Sequence, residues 1–498
     1  MNIDFTHTYS AALNEFVIES SPDKIDNPEL VFFNSDLDES LNLNLGNNDS
    51  QALGDFFAGN SLTSKAHAQA YAGHQFGHYN PQLGDGRALI IGEHIDLSGH
   101  KHDLCLKGSG RTPFSRGGDG KAALGPMLRE VLIAESMHAL NIPTTRSLAV
   151  VKTNEDVYRQ SMEPGAILCR TAASHIRIGT FQFVSNYARE EGVKKLADYA
   201  IARHYPQCSK TDKPYINFLN CVVNKQAELI AKWMSVGFIH GVMNTDNMCI
   251  SGETIDYGPC AFMEAYHPET VFSSIDHQGR YAYQNQPAIA QWNLARLAET
   301  LLPLLSDDEQ ASIDIATQSV TDFGKQYKVS WHQAMRAKLG FHTEVDNQTM
   351  EREIALINRF LDIIQDNKAD FTLSWLYIGN LLKNEAFEYG ELIDNNENFK
   401  VWFTEYLAAL NIADTIDQTN SSLQKAIKTM ANANPVVIPR NHNVEQALTD
   451  AATLDNFDEF NNLYKVINQP FENSNAPSRY ILPANTNFTQ HFKTFCGT

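Results

Sequence analysis

The sequence predicts an α+β protein in two lobes, the first rich in strands and the second mainly helical. Three observations predict it. Of 498 residues, 43% are hydrophobic, enough for a substantial core and too many for a disordered chain. Up to about residue 172 the apolar runs are short and broken by glycine-containing turns, the texture of strands. Beyond it, apolar residues recur at helical spacing over long windows.

The elements follow in chain order. Residues 1–60 show little periodicity and carry turn clusters such as NLGNNDS, so an irregular N-terminal wrap is expected. RALIIGEHI (87–95) and HDLCLKG (102–108), joined by DLSGHK, predict a β-hairpin. LGPMLREVLIAESMHAL (124–140) predicts an amphipathic helix. Pro126 suits its first turn, and Met127, Glu130, Ala134 and Met137 share a face. TRSLAVV (145–151) and GAILCRTA (165–172) read as strands. CVVNKQAELIAKWMSVGF (221–238) has Val223, Ala227, Ile230 and Met234 at helical spacing, and MCISGETIDYG (248–258) reads as a short hairpin. QPAIAQWNLARLAETLLPLL (286–305) and EREIALINRFLDIIQ (351–365) predict helices. There is no internal repeat, and the Asn- and Pro-rich stretch from about 435 is expected to drape over the surface.

The bulk charge narrows the function. A formal charge of −20 repels nucleic-acid phosphates and anionic membranes, so neither is an expected partner. Any phosphate chemistry must come from a local cluster of Lys and Arg. The N-terminus has no basic segment followed by an apolar run, and no apolar run reaches the roughly 18 residues of a membrane span, so a cytoplasmic protein is expected. Seven cysteines include no C-x-x-C pair, which argues against a zinc ribbon. Cys496, near the end of the chain, is an incidental thiol or a redox handle.

Within the second half, HGVMNTDN (His240–Asn247) has the outline of a protein-kinase catalytic loop, H-R-D-x-x-x-x-N, with Val242 where that loop keeps its aspartate. Asp256 follows Asn247 within DYG. An amide and a carboxylate so placed can converge on one divalent cation, although each alone is an ordinary turn residue. The first half supplies cations. Lys107 ends an apolar strand, and Glu130 lies on the apolar face of the following helix, where a carboxylate is costly unless paired. GDGR (84–87), GSGR (108–111) and RGGDG (116–120) are turns whose backbone N–H groups could approach phosphate oxygens or could simply close hairpins. A Walker A loop is excluded, because Lys121 is followed by Ala122. Arg170 and Arg177 flank a strand end and suit phosphate oxygens. His74 and His78 in GHQFGH have metal-like spacing, but the segment is glycine-rich and lacks the glutamate of H-E-x-x-H, so backbone or core hydrogen bonding is expected.

Taken together, YAGHQFGHYNPQLGDGRA, LKGSGRTPFSRGGDGKAALGPMLREVLIAE, TRSLAVV, HIRIGTFQ, HGVMNTDNM, IDYGPCAFME and IPRNHNVEQAL resemble the selenoprotein O (SelO) family of protein-kinase-like pseudokinases, over about residues 70–450. The resemblance implies a two-lobed kinase-like fold: an N-terminal extension (1–60), a kinase-like N-lobe (61–180), a helical C-lobe carrying the catalytic and metal loops (181–435) and a C-terminal tail (436–498). It implies ATP bound in a flipped orientation and transfer of AMP, possibly UMP from UTP, to Ser, Thr or Tyr hydroxyls of proteins, with Mg²⁺ or Mn²⁺. By motif it makes Lys107 and Glu130 an ion pair and Asp246 the proton acceptor. Gly84, Gly86, Arg87, Lys107, Asp119, Gly120, Arg170, Arg177 and Asp256 become nucleotide-site residues, and Asn247 and Asp256 the metal ligands. Cys496 occupies the place where eukaryotic members carry selenocysteine. Two other classes stay open: a γ-phosphoryl-transferring kinase, against which Val242 argues, and a non-catalytic nucleotide-binding scaffold.

Overall fold

The computed structural model describes residues 3–387, 393, 396–412, 416–471 and 476–495. Strands come early in the chain: β1 (Val17–Ser20), β2 (Glu29–Phe33), β3 (Ala66–Gln69), β4 (Gly73–Gln75), β5 (His78–Asn80), β6 (Ala88–Ile95), β7 (Lys101–Lys107), β8 (Ala122–Ala123), β9 (Arg146–Tyr158) and β10 (Met162–Ala172). All but β4 and β5 join one antiparallel sheet in the order β1-β3-β6-β7-β10-β9-β2, with β8 pairing β10. β4 and β5 form a separate hairpin. The protein is thus a mixed helix-and-strand fold around an antiparallel sheet.

Register decides which side chains share a face. Lys107 on β7 stands opposite Leu168 on β10, and Arg170 opposite Cys105. Side chains alternate along a strand, so Lys107, Cys105, Leu168 and Arg170 point to one face. That face packs against the helix Leu124–Ala139, whose Met127, Leu128, Val131 and Ala134 are buried with Leu168 and Val150. Leu104, Leu106, Ile167 and Cys169 point the other way, into a second core. Burial on both sides explains why these strands read as nearly continuous apolar runs.

The second core corrects the reading of residues 1–60. Helices Ser35–Leu41 and Ser50–Phe57 cover the far face of the sheet with Leu37, Leu41, Leu53, Phe56 and Phe57, and β1 and β2 are its edge strands. Both helices begin at side-chain caps, Asn34 on Leu37 N and Asp49 on Ala52 N. The segment is a layer of the fold because its short strands pair with distant ones, which local periodicity does not report.

The helices beyond the sheet fit their sequence signals closely. Gln286–Leu305 carries Pro at its start, Asn347–Asp366 is capped by Asp346, and the helix expected at 221–238 runs Pro214–Ser235. The hairpin expected at 248–258 is absent. Cys249 bridges Arg177 and Thr254 bridges Thr144, so each side finds a partner elsewhere. The stretch after 435 also differs from expectation. Helices Asn441–Leu454 and Asp458–Ile467 bury Val444, Ala447, Ala451, Phe460, Leu463 and Ile467 in the main core. Among the described residues, no helix is long and apolar enough to cross a membrane. Cys496 lies outside the described residues.

Candidate active site

The Leu124–Ala139 helix lies under the sheet face that carries Lys107 and Arg170, and it sends up Glu130. Lys107 Nζ donates to Glu130 Oε2 at 2.6 Å and Arg170 Nη1 to Glu130 Oε1 at 3.0 Å. Asp256 enters from the opposite side on a residue with φ of 64°, a left-handed conformation that turns its carboxylate toward the sheet. Its Oδ1 accepts from Lys107 Nζ at 3.1 Å and Arg170 Nη1 at 2.7 Å, and its Oδ2 from Arg177 Nη1 at 3.3 Å. One carboxylate therefore gathers three cations. Burial pushes the Asp256 carboxyl up, but Lys107, Arg170 and Arg177 outweigh burial and hold it well below the usual range. Glu130 is raised by burial and lowered further by Lys107 and Arg170, so it too stays ionised.

Arg177 also ties in the His240–Asn247 loop. Its Nη1 donates to Asp246 O at 2.9 Å, its guanidinium lies 4.5 Å from the centre of the Tyr71 ring, and its Nη2 is 3.8 Å from Asp85 Oδ1. Asp246 is buried. Burial pushes its carboxyl up to about 6 against the pull of Arg177, the range a general base uses near neutrality. His240 is held by Ile255 O and stacked on Trp233, and Val242 is buried. Asn247 Nδ2 donates to Val242 O at 3.0 Å, so its amide oxygen is the atom that could accept a hydrogen bond or a cation.

The glycine turns form a second group. Gly84 has φ of 70°, and a Cβ there would meet the Phe114 ring. A Cβ on Gly86 would stand 2.9 Å from Phe114 O, and Thr112 Oγ1 donates to Asp85 O at 2.6 Å. Gly120 presses on Gly110 O, and Gly110 N donates to Gly120 O at 3.2 Å, which closes the 110–120 loop. The loop packs on the GDGR turn, and Arg87 O receives Gly108 N from the end of β7. Asp119 faces outward from the cluster: Arg159 holds it with two N–H bonds at 2.8 and 3.1 Å. His74 donates its backbone N–H to Thr245 Oγ1 and shares a side-chain hydrogen bond with Gln182, while His78 is exposed.

Lys107, Glu130, Arg170, Arg177 and Asp256 thus form one hydrogen-bonded cluster, with Asp246 attached through its backbone. Sequence reasoning missed Asp85, Tyr71, Gln75 and Arg129. Asp85 had a signal, a carboxylate between two glycines. Arg129 had one too: a cation beside Glu130 on a buried helix. Tyr71 and Gln75 carried none.

The chain matches the family model described as protein adenylyltransferase SelO over residues 1–468. It is 48% identical over 500 residues to the protein nucleotidyltransferase YdiU of Bacillus cereus (strain B4264), covering 100% of this chain and 98% of that one. It is 48% identical over 495 residues to YdiU of Clostridium perfringens (strain SM101 / Type A), covering 99% and 97%. To YdiU of Halalkalibacterium halodurans it is 49% identical over 484 residues, covering 96% and 94%.

Proposed function

The chain belongs to the SelO family of protein adenylyltransferases, and from that premise we propose that the Lys107–Asp256 cluster is where AMP passes from ATP to hydroxyl side chains of proteins. The observation that carries the reading is the convergence of Lys107, Arg170 and Arg177 on the single carboxylate of Asp256. In a chain of net charge −20, three cations within hydrogen-bond reach of one point make a local phosphate site against the global field. Residues 61–180 and 181–435 are read as the two lobes of a kinase-like fold, with 1–60 as an extension and 436–498 as a tail, in a cytoplasmic protein.

A divalent cation, Mg²⁺ or Mn²⁺, fits the donor set. Asn247 offers an amide oxygen and Asp256 a carboxylate, both hard oxygen ligands, and so small a set leaves positions for phosphate oxygens. When bound, such a cation neutralises phosphate charge. The chain's own residues do the rest. Lys107, Arg170 and Arg177 hold phosphate oxygens, and Glu130, which accepts from both Lys107 and Arg170, keeps those two aimed. Gly84, Gly86, Arg87 and Gly120 belong to the turns that wall the nucleotide, with Asp119 on the outer loop. Asp246 accepts the proton of the acceptor hydroxyl. Val242 removes the ordinary kinase base, a loss worth about 10²–10⁴ in rate, or about 3–5 kcal/mol, and Asp246 supplies a base four residues on.

The test is incubation of the protein with ATP labelled at the α- or the γ-phosphate, with a divalent cation and protein acceptors. Label in protein from the α position alone is expected. Label from γ means phosphorylation, and label from neither means a scaffold; either result ends the reading. Asp256→Ala should lower α-label transfer by more than about 10³-fold, since both the cation ligand and the anchor of three side chains are lost.

A further inference from the structure

The β4–β5 hairpin lies over the catalytic loop and donates three hydrogen bonds to it. His74 N donates to Thr245 Oγ1 at 2.7 Å, Phe76 N to Asn244 Oδ1 at 3.1 Å, and Gln75 Nε2 to Asp246 Oδ2 at 3.4 Å. The first two use hairpin backbone, which any residue there would supply. The third depends on a side chain. The other carboxylate oxygen of Asp246, Oδ1, is buried without a hydrogen-bond partner. Gly73 faces it so closely that a Cβ there would stand 2.3 Å away. A carboxylate rotates easily about its terminal torsion, so its neighbours decide which oxygen is presented. Here Oδ1 is closed in by Gly73, and Oδ2 lies on the side of Gln75.

We propose that Gln75 is a positioning residue for the transfer: its amide fixes the Asp246 carboxylate so that Oδ2 meets the acceptor hydroxyl. The inference rests on Asp246 being the base. In the step it serves, the acceptor O–H breaks and its proton goes to Asp246 Oδ2. The acceptor oxygen bonds to the α-phosphorus as the bond to pyrophosphate breaks, and that electron pair leaves with pyrophosphate. Gln75 transfers nothing. The 3.4 Å separation is long for a hydrogen bond, and catalytic contacts are often long in a structure without substrate.

A double-mutant cycle tests this in the full-length chain, with transfer from α-labelled ATP to a protein acceptor as the readout. Gln75→Leu should lower kcat about tenfold and leave KM for ATP within about twofold, as expected for a contact that acts only on the base. Gln75→Met, which keeps the length of the side chain, should behave the same if the amide is what matters. In the Asp246→Asn background, Gln75→Leu should cause no further loss, because the group it aims is gone. Wild-type kcat in both Gln75 variants overturns the inference, and so does a second tenfold loss on top of Asp246→Asn, which marks a role in the fold alone. Wild-type transfer by Asp246→Asn overturns the base assignment itself, a result separate from either.

Discussion

Glu253 sits three residues before Asp256, at the wall of a cavity of about 320 Å³ bounded also by His204, Tyr205, Lys225 and Lys232. Its carboxyl accepts from Ala173 N at 3.0 Å and Ser251 Oγ at 2.9 Å, and burial pushes it up to about 7. The folded chain therefore holds this proton more tightly than the unfolded chain. The stabilisation is complete below the ordinary value of 4.5 and is lost as pH rises through about 7. Glu253→Gln keeps the accepting oxygen and removes the charge. The variant should match wild type near pH 5 and be more stable by about 1–2 kcal/mol at pH 8.5, after allowance for the partial exposure of the group. Urea unfolding at the two pH values measures this, and an equal difference at both would refute it. The titration could not be read from the sequence, because Glu253 looks like any turn carboxylate until Ala173 and Ser251 enclose it. Lys107 and Glu130 were legible for the opposite reason: each is a charge on an otherwise apolar face, a local conflict that only a partner resolves.

Elements were legible where their signals are local. The Gln286–Leu305 and Leu124–Ala139 helices and the β6–β7 hairpin announce themselves through prolines, turn glycines and period. The segment 248–258 did not, because its remote backbone partners lie at Pro143, Thr145, Ile176 and Ile178, far outside any local window. What fixes the stretch just after Asp256 is again remote. Arg129, on the helix that carries Glu130, donates Nε to Gly258 O at 3.2 Å and Nη2 to Cys260 O at 2.6 Å, and its Nη1 meets Glu445 Oε1 at 2.9 Å. One helix thus sets both Glu130 and the segment that presents Asp256. Arg129→Met should cost about 2–4 kcal/mol, since it leaves two carbonyls without their donor, and should reduce transfer as well. Glu445→Gln should cost under about 1 kcal/mol, because that carboxylate is 44% exposed and its pair is screened. Denaturant unfolding of both variants gives the ordering. Equal losses would show that the salt bridge, and not the carbonyl contacts, holds the segment.

At the scale of the whole molecule, the two ends of the chain are where sequence and structure parted. Helices Ser35–Leu41 and Ser50–Phe57 close the far face of the sheet, and the last described stretch fastens the segment that follows the site. Ala484 N and Thr489 Oγ1 donate to Glu264 at 3.2 and 3.0 Å. Thr494 N donates to Phe272 O and Ser274 N to Thr494 O, both at 2.9 Å, and Thr494 Oγ1 donates to Pro259 O at 2.7 Å. Phe492 packs on Phe272 with ring centres 5.7 Å apart. No local pattern in the tail predicts any of this, since every partner is more than two hundred residues away. None of these bonds touches Lys107, Arg170 or Arg177, so the strap acts on the 259–274 segment and leaves the Lys107–Asp256 cluster intact. Removing residues 484–498 should therefore raise the rate at which chymotrypsin cuts at Phe262, Tyr266 or Phe272 by at least about tenfold. Cleavage of a folded chain tracks the population of the locally opened form, and the truncation removes the bonds that oppose opening. ATP affinity should change by less than about threefold, because Lys107, Arg170 and Arg177, proposed to hold phosphate, keep their partners. Fragment mapping by mass spectrometry reads the first quantity and equilibrium binding the second. An unchanged cutting rate would mean that 259–274 is held by its own packing, and a collapse in ATP affinity would mean that the strap reaches the site.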